Sequence, residues 1–191
     1  MILGPDVLLE LVKKQKLVTN LSDRELKNPE GAGFDLRIGE VLELKPGRAF
    51  LGVTERETPD VKTLAKFRSR AKKQDTFKLM PGQFVLITTI EEVKTPIDLA
   101  PHLFARSTLF RSGATLLCTQ IAPGYKGKLT MGLYNFREVP PHANPADYVI
   151  EIEMGARVAH VQFERVEGEG AQYRGQWQGG RVAATQREVQ V

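Results

Sequence analysis

The sequence predicts a mainly β protein, a β-barrel or jelly roll preceded by one short helix. From residue 34 onward the chain divides into many short segments rich in apolar and β-branched residues, which is typical of antiparallel barrels and sandwiches. Pro-Gly pairs at 81–82 and 123–124, and the proline-rich stretch 138–145, separate these segments as turns. Before residue 34 only one segment has helical spacing, so a helical or α/β fold is disfavoured.

The predicted helix covers residues 5–17, where Val7, Leu8, Leu11 and Val12 form one apolar stripe. The predicted strands cover residues 35–44, 47–53, 77–79, 83–90, 115–121, 127–136, 148–152 and 158–166. Residues 62–78 are rich in lysine and arginine, which indicates an exposed loop or short helix with a basic face. We expect a barrel domain over residues 1–166 and a tail over 167–191, whose Gly, Gln and Arg content alone predicts disorder.

Composition limits the possible functions. Hydrophobic residues make up 41% of the 191 residues and charged residues 26%, as in ordinary globular domains. The net charge of +4 suits an anionic ligand but is too small to predict nucleic acid binding. Cys118 is the only cysteine, which favours a reducing, cytoplasmic location and excludes a zinc nucleobase deaminase. Glu10, Lys13 and Lys14 interrupt the apolar start, so we expect neither a signal peptide nor a membrane span.

One candidate for phosphate binding is the segment ARSTLFRSG at residues 105–113. Arg106 and Arg111 stand five residues apart, with the hydroxyls of Ser107 and Thr108 between them. The planar fork of an arginine matches phosphate oxygens, and one turn of helix or a strand end could aim both arginines at one point. The alternative is a surface turn with two solvated arginines.

Two other segments have the residues of a ligand site. In residues 119–136 a strand leads into Pro123-Gly124, then Tyr125 and Gly127, then another strand. Such a hairpin lets backbone groups approach a flat base, although an ordinary hairpin has the same pattern. In residues 31–39, Asp35 follows two glycines at the start of a strand. Its carboxylate either binds a metal-bound water or caps a turn.

Six segments, in this order, resemble the dUTPase and dCTP deaminase superfamily. They are GAGFDLRIG at 31–39, MPGQFVLITTIEEVKTPIDL at 80–99, ARSTLFRSG at 105–113, IAPGYKGKLTMGLYN at 121–135, GARVAHVQFERVEG at 155–168 and YRGQWQGG at 173–180. The resemblance spans residues 1–178 and is greatest to archaeal-type dUTPases of the dCTP deaminase-like branch. It implies a distorted jelly-roll β-barrel, a homotrimer with active sites shared between subunits, and a flexible C-terminal lid at residues 173–179.

The resemblance also implies a ligand, a cofactor and a set of binding residues. The ligand is a deoxypyrimidine nucleoside triphosphate, dUTP, dCTP or dTTP, with Mg²⁺ bound through the triphosphate and not by protein side chains. His160 stands where the family has a phosphate-binding glutamine, and Gln162 lies two residues on, on the same strand face. The implied binding residues are Arg106, Ser107, Thr108, Arg111, Gln120, Ile121, Gly124, Tyr125, Gly127, His160, Gln162, Tyr173, Gln176 and Gln178.

The chain departs from the family at both positions that perform chemistry. Gly132 stands where the deaminases have a proton-shuttling glutamate, and Ala122 stands where the hydrolases have a water-activating aspartate. We expect hydrolysis of dUTP to dUMP and diphosphate, with Asp35 or a carboxylate of a neighbouring subunit aligning the water. The alternatives are a dCTP deaminase with a substitute for Gly132 and a nucleotide-binding protein with little turnover.

Overall fold

The computed structural model describes residues 1–189, so the last two residues of the predicted tail lie outside it. Within these residues there are three short α-helices, α1 (Pro5–Gln15), α2 (Asp23–Lys27) and α3 (Ser107–Arg111), and one 3-10 helix at Pro145–Tyr148. The strands are β1 (Val18–Thr19), β2 (Gly33–Leu44), β3 (Phe50–Leu51), β4 (Glu55–Glu57), β5 (Val61–Lys66), β6 (Thr76–Leu79), β7 (Phe84–Lys94), β8 (Leu99–Ala105), β9 (Ala114–Leu117), β10 (Lys126–Asn135), β11 (Ile150–Glu153), β12 (Arg157–Arg165) and β13 (Glu188–Val189).

The strands form one large antiparallel sheet and two small ones. The large sheet has the order β8-β12-β2-β7-β10-β9, with β1 also paired to β7 and β5 to β2. The small sheets are β11-β6 and β13-β4-β3. The long strands β2, β7, β10 and β12 provide most of the core, which includes the fully buried Phe34, Ile87, Leu133 and Phe163. The mainly β, jelly-roll-like prediction is therefore confirmed.

Three details of the predicted elements are wrong. The basic segment 62–78 is no continuous loop or helix, because β5 pairs with β2 and β6 pairs with β11. Residues 47–53 contain only the two-residue strand β3. The strand β8 was not predicted because Pro101 lies inside it, yet β8 stands at one end of the large sheet, where a missing N–H is tolerated.

The tail packs against the barrel from residue 172 to residue 189. Ala184 is fully buried, its N–H donates to Thr58 Oγ1 over 2.9 Å, and its carbonyl accepts from Thr58 N over 2.8 Å. The guanidinium of Arg187 lies 4.1 Å from the centre of the Phe50 ring, and β13 pairs with β4. The prediction of disorder from composition is wrong here. The tail has few apolar side chains to bury, but hydrogen bonds to the barrel satisfy its backbone groups.

None of the helices in residues 1–189 has the length and apolarity that crossing a membrane requires.

Candidate functional site

A cavity of about 540 Å³ lies between the β9–β10 connection, the barrel wall and the tail. We call it the hairpin pocket. The residues predicted to bind ligand that line it are Gln120, Ile121, Tyr125 and Tyr173, and Ala122, which stands where the family has a catalytic aspartate, lines it too. Its walls are mostly apolar and include Phe84, Leu86, Leu103, Leu129 and Trp177. Among the described lining residues there is no aspartate or glutamate, and the one charged side chain, Arg181, is paired with Glu188.

The turn that begins β10 is fixed by its own hydrogen bonds. Tyr125 N donates to the carbonyl of Ala122 over 3.2 Å, and Gly124 N donates to the carbonyl of Thr95 over 3.0 Å. The Tyr125 side chain is buried, and its hydroxyl donates to the carbonyl of Lys128 over 2.6 Å. Burial, assisted by the neighbouring Tyr173, raises the pKa of Tyr125 to about 12. The phenol therefore stays a neutral donor and holds the turn.

The tail covers the outer side of this turn. Tyr173 packs edge-on against Tyr125, with ring centres 5.6 Å apart. The side-chain amide of Gln178 accepts from Lys126 N over 2.7 Å and donates to the carbonyl of Gly124 over 3.1 Å. A Cβ on Gly127, whose φ is +140°, would lie 2.3 Å from the backbone nitrogen of Gly180. Only glycine lets these two segments of the chain approach so closely.

Gln176, another predicted phosphate ligand, lies in the same part of the tail. Its Nε2 is buried and has no hydrogen-bond partner among residues 1–189. A buried donor without a partner is costly, and this one is enclosed by the protein and does not line the hairpin pocket.

Gly132 lies in the middle of β10 and is covered by an aromatic ring. A Cβ at this position would lie 2.8 Å from Cε2 of Phe84 and 3.3 Å from Cβ of Leu117. Phe84 in turn lines the hairpin pocket. The ring edge of Phe84 therefore occupies the space that the side chain of the family's catalytic glutamate would need at residue 132.

Asp35 lies in β2 opposite His160 of β12 and is only 1% exposed. One of its oxygens accepts from Arg106 over 2.8 Å and lies 2.9 Å from Nδ1 of His160. The other accepts from Arg157 over 2.8 Å and lies 3.6 Å from Arg24. We call this group the Asp35 cluster. Both oxygens are engaged by these cations, and Asp35 does not line the hairpin pocket.

The candidate ligands for a metal ion in residues 1–189 are the His, Cys, Asp and Glu side chains. Residues 1–189 contain no group of three or more His, Cys, Asp or Glu side chains that could hold one. Asp35, the predicted contact to a metal-bound water, is already paired with arginines. These side chains do not fit a directly bound Mg²⁺.

The remaining predicted residues lie elsewhere. Ser107, Thr108 and Arg111 belong to α3, and none of the described residues that line the hairpin pocket comes from this helix. Gln162 lies on β12 opposite Gly33, next to the Asp35 cluster and also outside the pocket. Within one chain the predicted site is therefore divided among the hairpin pocket, the Asp35 cluster and α3.

Comparison with known proteins identifies the family. A sequence model of the dCTP deaminase-like family matches residues 2–166. The chain belongs to this family. It is 30% identical over 180 residues to "dCTP deaminase, dUMP-forming" of Dictyoglomus turgidum, covering 92% of this chain and 91% of that protein. It is 33% identical over 185 residues to the dCTP deaminase of Pyrobaculum calidifontis, covering 95% and 93% of the two chains.

A solved structure supports the fold of the family. The 2'-deoxycytidine 5'-triphosphate deaminase of Agrobacterium tumefaciens superimposes with a TM-score of 0.61 at 15% identity, covering 86% of this chain and 48% of that chain. The expected membership of the dUTPase and dCTP deaminase superfamily is thus confirmed. Several residues that line the two cavities were not predicted from the sequence, among them Phe84, Trp177 and Arg137. No spacing signal could have located them, because their placement depends on strand register and on how the tail docks.

Proposed function

We propose that this dCTP deaminase-like protein binds a deoxypyrimidine nucleoside triphosphate and hydrolyses dUTP to dUMP and diphosphate slowly. The observation that carries the proposal is a hairpin pocket of about 540 Å³ in which no described lining residue is a carboxylate. Its volume lies in the range of small-molecule sites, and its aromatic walls suit a flat base. The tail that covers the turn also supports nucleotide binding.

Deamination has the least support. Replacing the amino group of cytosine by water requires a group that moves protons at the base. Gly132 has no such group, and Phe84 covers its Cα. Apart from the paired Arg181, the polar side chains of the described pocket walls are hydroxyls and an amide, which are poor proton shuttles near neutral pH.

Slow hydrolysis follows from the same walls. Water attacks the α-phosphorus efficiently when a carboxylate accepts its proton, and such assistance contributes about 10²–10⁴-fold in rate. Ala122 offers only a methyl group, and Asp35 is enclosed by Arg106, Arg157 and His160. Mg²⁺ would enter with the triphosphate, since the described side chains do not fit it as ligands.

A second candidate is an ordinary dUTPase whose site is completed by a neighbouring subunit. The observation that favours it is the separation of α3, with Arg111, from the hairpin pocket. Apolar side chains close to α3 are largely exposed in the single chain, including Phe104, Phe110 and Leu117. A homotrimer would cover such surface and bring α3 of one subunit to the pocket of the next, and a carboxylate of that neighbour would act as the base.

The test combines binding, turnover and assembly. Calorimetry with dUTP, dCTP and dTTP measures affinity, while diphosphate and ammonia are assayed separately. We expect nucleotide binding, a trimer by sedimentation, no ammonia, and dUTP turnover well below about 1 s⁻¹. Turnover at or above that rate supports the second candidate. Ammonia release from dCTP, or the lack of any nucleotide binding, would overturn the proposal.

A further inference from the structure

A second cleft, of about 640 Å³, lies between α3 and the segment that follows β10. We call it the arginine cleft. Its charged lining residues are Arg111 at the end of α3, Arg137 just after β10, and Glu151 of β11. Unlike the hairpin pocket it is strongly polar, and neither the sequence patterns nor the family resemblance pointed to Arg137.

Arg137 is held in place from three sides. Its backbone N–H donates to Oδ1 of Asn135 over 3.0 Å, and its guanidinium lies 4.9 Å from the centre of the Tyr148 ring. Its stem crosses Gly113, where a Cβ would lie only 2.4 Å from Cγ of Arg137. A guanidinium that is stacked and packed in this way loses little conformational freedom when it binds a ligand.

The charge of the cleft is not balanced. Within residues 1–189, neither Arg111 nor Arg137 has a carboxylate within 4.0 Å, whereas the arginines of the Asp35 cluster are paired. The acid that lines the cleft, Glu151, lies 3.3 Å from Lys78, which offsets its charge. Two arginines that face one cleft repel each other until an anion lies between them.

We propose that Arg137 and Arg111 together bind the terminal phosphates of the nucleotide. The oligophosphate is the chemistry that matches, because each guanidinium can make a bidentate contact with phosphate oxygens. The inference rests on the proposed function and extends it, since it adds a phosphate-binding residue. It also places the phosphate end of the ligand outside the hairpin pocket of the same chain, as a site formed between subunits requires.

Inorganic tripolyphosphate tests the cleft without a base. Its affinity is measured by calorimetry for the full chain, for Arg137→Gln, for Arg137→Lys and for the control Arg70→Gln, which removes one exposed arginine far along the chain from this cleft. We expect Arg137→Gln to weaken tripolyphosphate binding at least tenfold, because a charge-assisted contact is lost. Lysine should restore part of the affinity, and Arg70→Gln should stay within about twofold, as an exposed charge does.

Deoxyuridine and dUTP show whether the arginine cleft binds the phosphates of the nucleotide or only a free oligophosphate. Arg137→Gln should weaken dUTP as much as tripolyphosphate and leave deoxyuridine unchanged. Tripolyphosphate binding that depends on Arg137, with no binding of dUTP, would retain the anion cleft and overturn both its assignment to the nucleotide and the proposed function. If Arg137→Gln lowers tripolyphosphate affinity less than twofold, or no more than Arg70→Gln does, the proposed cleft is overturned while nucleotide binding stays in place. The same holds if the native chain does not bind tripolyphosphate.

Discussion

Ala122→Asp tests whether hydrolysis is slow because residue 122 lacks a carboxylate. Ala122 lines the hairpin pocket directly before Pro123, and its carbonyl accepts from Tyr125 N, so the turn can keep its backbone when the side chain changes. No described aspartate or glutamate lines that pocket, so the new carboxylate has no competitor. General-base assistance contributes about 10²–10⁴-fold, and we expect dUTP hydrolysis to rise at least tenfold.

The assay measures diphosphate release and dUTP affinity for the native chain, for Ala122→Asp and for Ala122→Asn. Asparagine has nearly the same shape but accepts no proton, so it controls for packing and polarity. We expect Asp alone to raise turnover, with affinity changed less than about threefold, which is under 1 kcal/mol. If Asp and Asn behave alike, or if the native chain already turns over faster than about 1 s⁻¹, a base at residue 122 is not what hydrolysis lacks.

Three further predictions concern stability and pH. Asp35→Asn should lower the free energy of unfolding by about 1–3 kcal/mol, because it removes the buried counter-charge of two partly exposed arginines; urea melts should show no comparable loss for Glu10→Gln, an exposed pair. Gly132→Glu should cost about 1–3 kcal/mol by forcing Phe84 aside and should release no ammonia from dCTP; ammonia with intact stability would contradict this. The raised pKa of Tyr125 implies stability that is complete below pH 10 and lost as pH rises toward 12, by up to about 2.7 kcal/mol; melts of Tyr125→Phe should lack this alkaline loss.

The sequence predicted the class of fold because its strands are long and strongly patterned. The strand predicted at 127–136 appears as Lys126–Asn135, and the helix predicted at 5–17 as Pro5–Gln15. Short elements were missed for local reasons, as with the proline inside Leu99–Ala105. The tail was misjudged because composition measures how much apolar surface a segment can bury and ignores the hydrogen bonds that a neighbouring hairpin offers.

The candidate site was predicted less well, because its residues depend on pairings far apart in sequence. The sequence could show that Ala122 and Gly132 lack carboxylates, but the covering of Gly132 by Phe84 follows from the β7–β10 register. In the same way, Asp35 was expected beside a metal-bound water or at a turn. Its place opposite His160, within reach of Arg106 and Arg157, comes from the pairing of β2 with β12.

The two arginines of the ARSTLFRSG segment differ in whether a carboxylate of the protein already neutralises their charge. Arg106 precedes the first turn of α3 with extended backbone, and its guanidinium reaches the buried Asp35. Arg111 ends the same helix and has no carboxylate within 4.0 Å among residues 1–189. Arg106 uses one nitrogen of its guanidinium on Asp35, and the negative charge of that carboxylate weakens its attraction for an anion. Arg111 can turn its whole guanidinium toward phosphate, so phosphate binding by this segment should depend more on Arg111 than on Arg106.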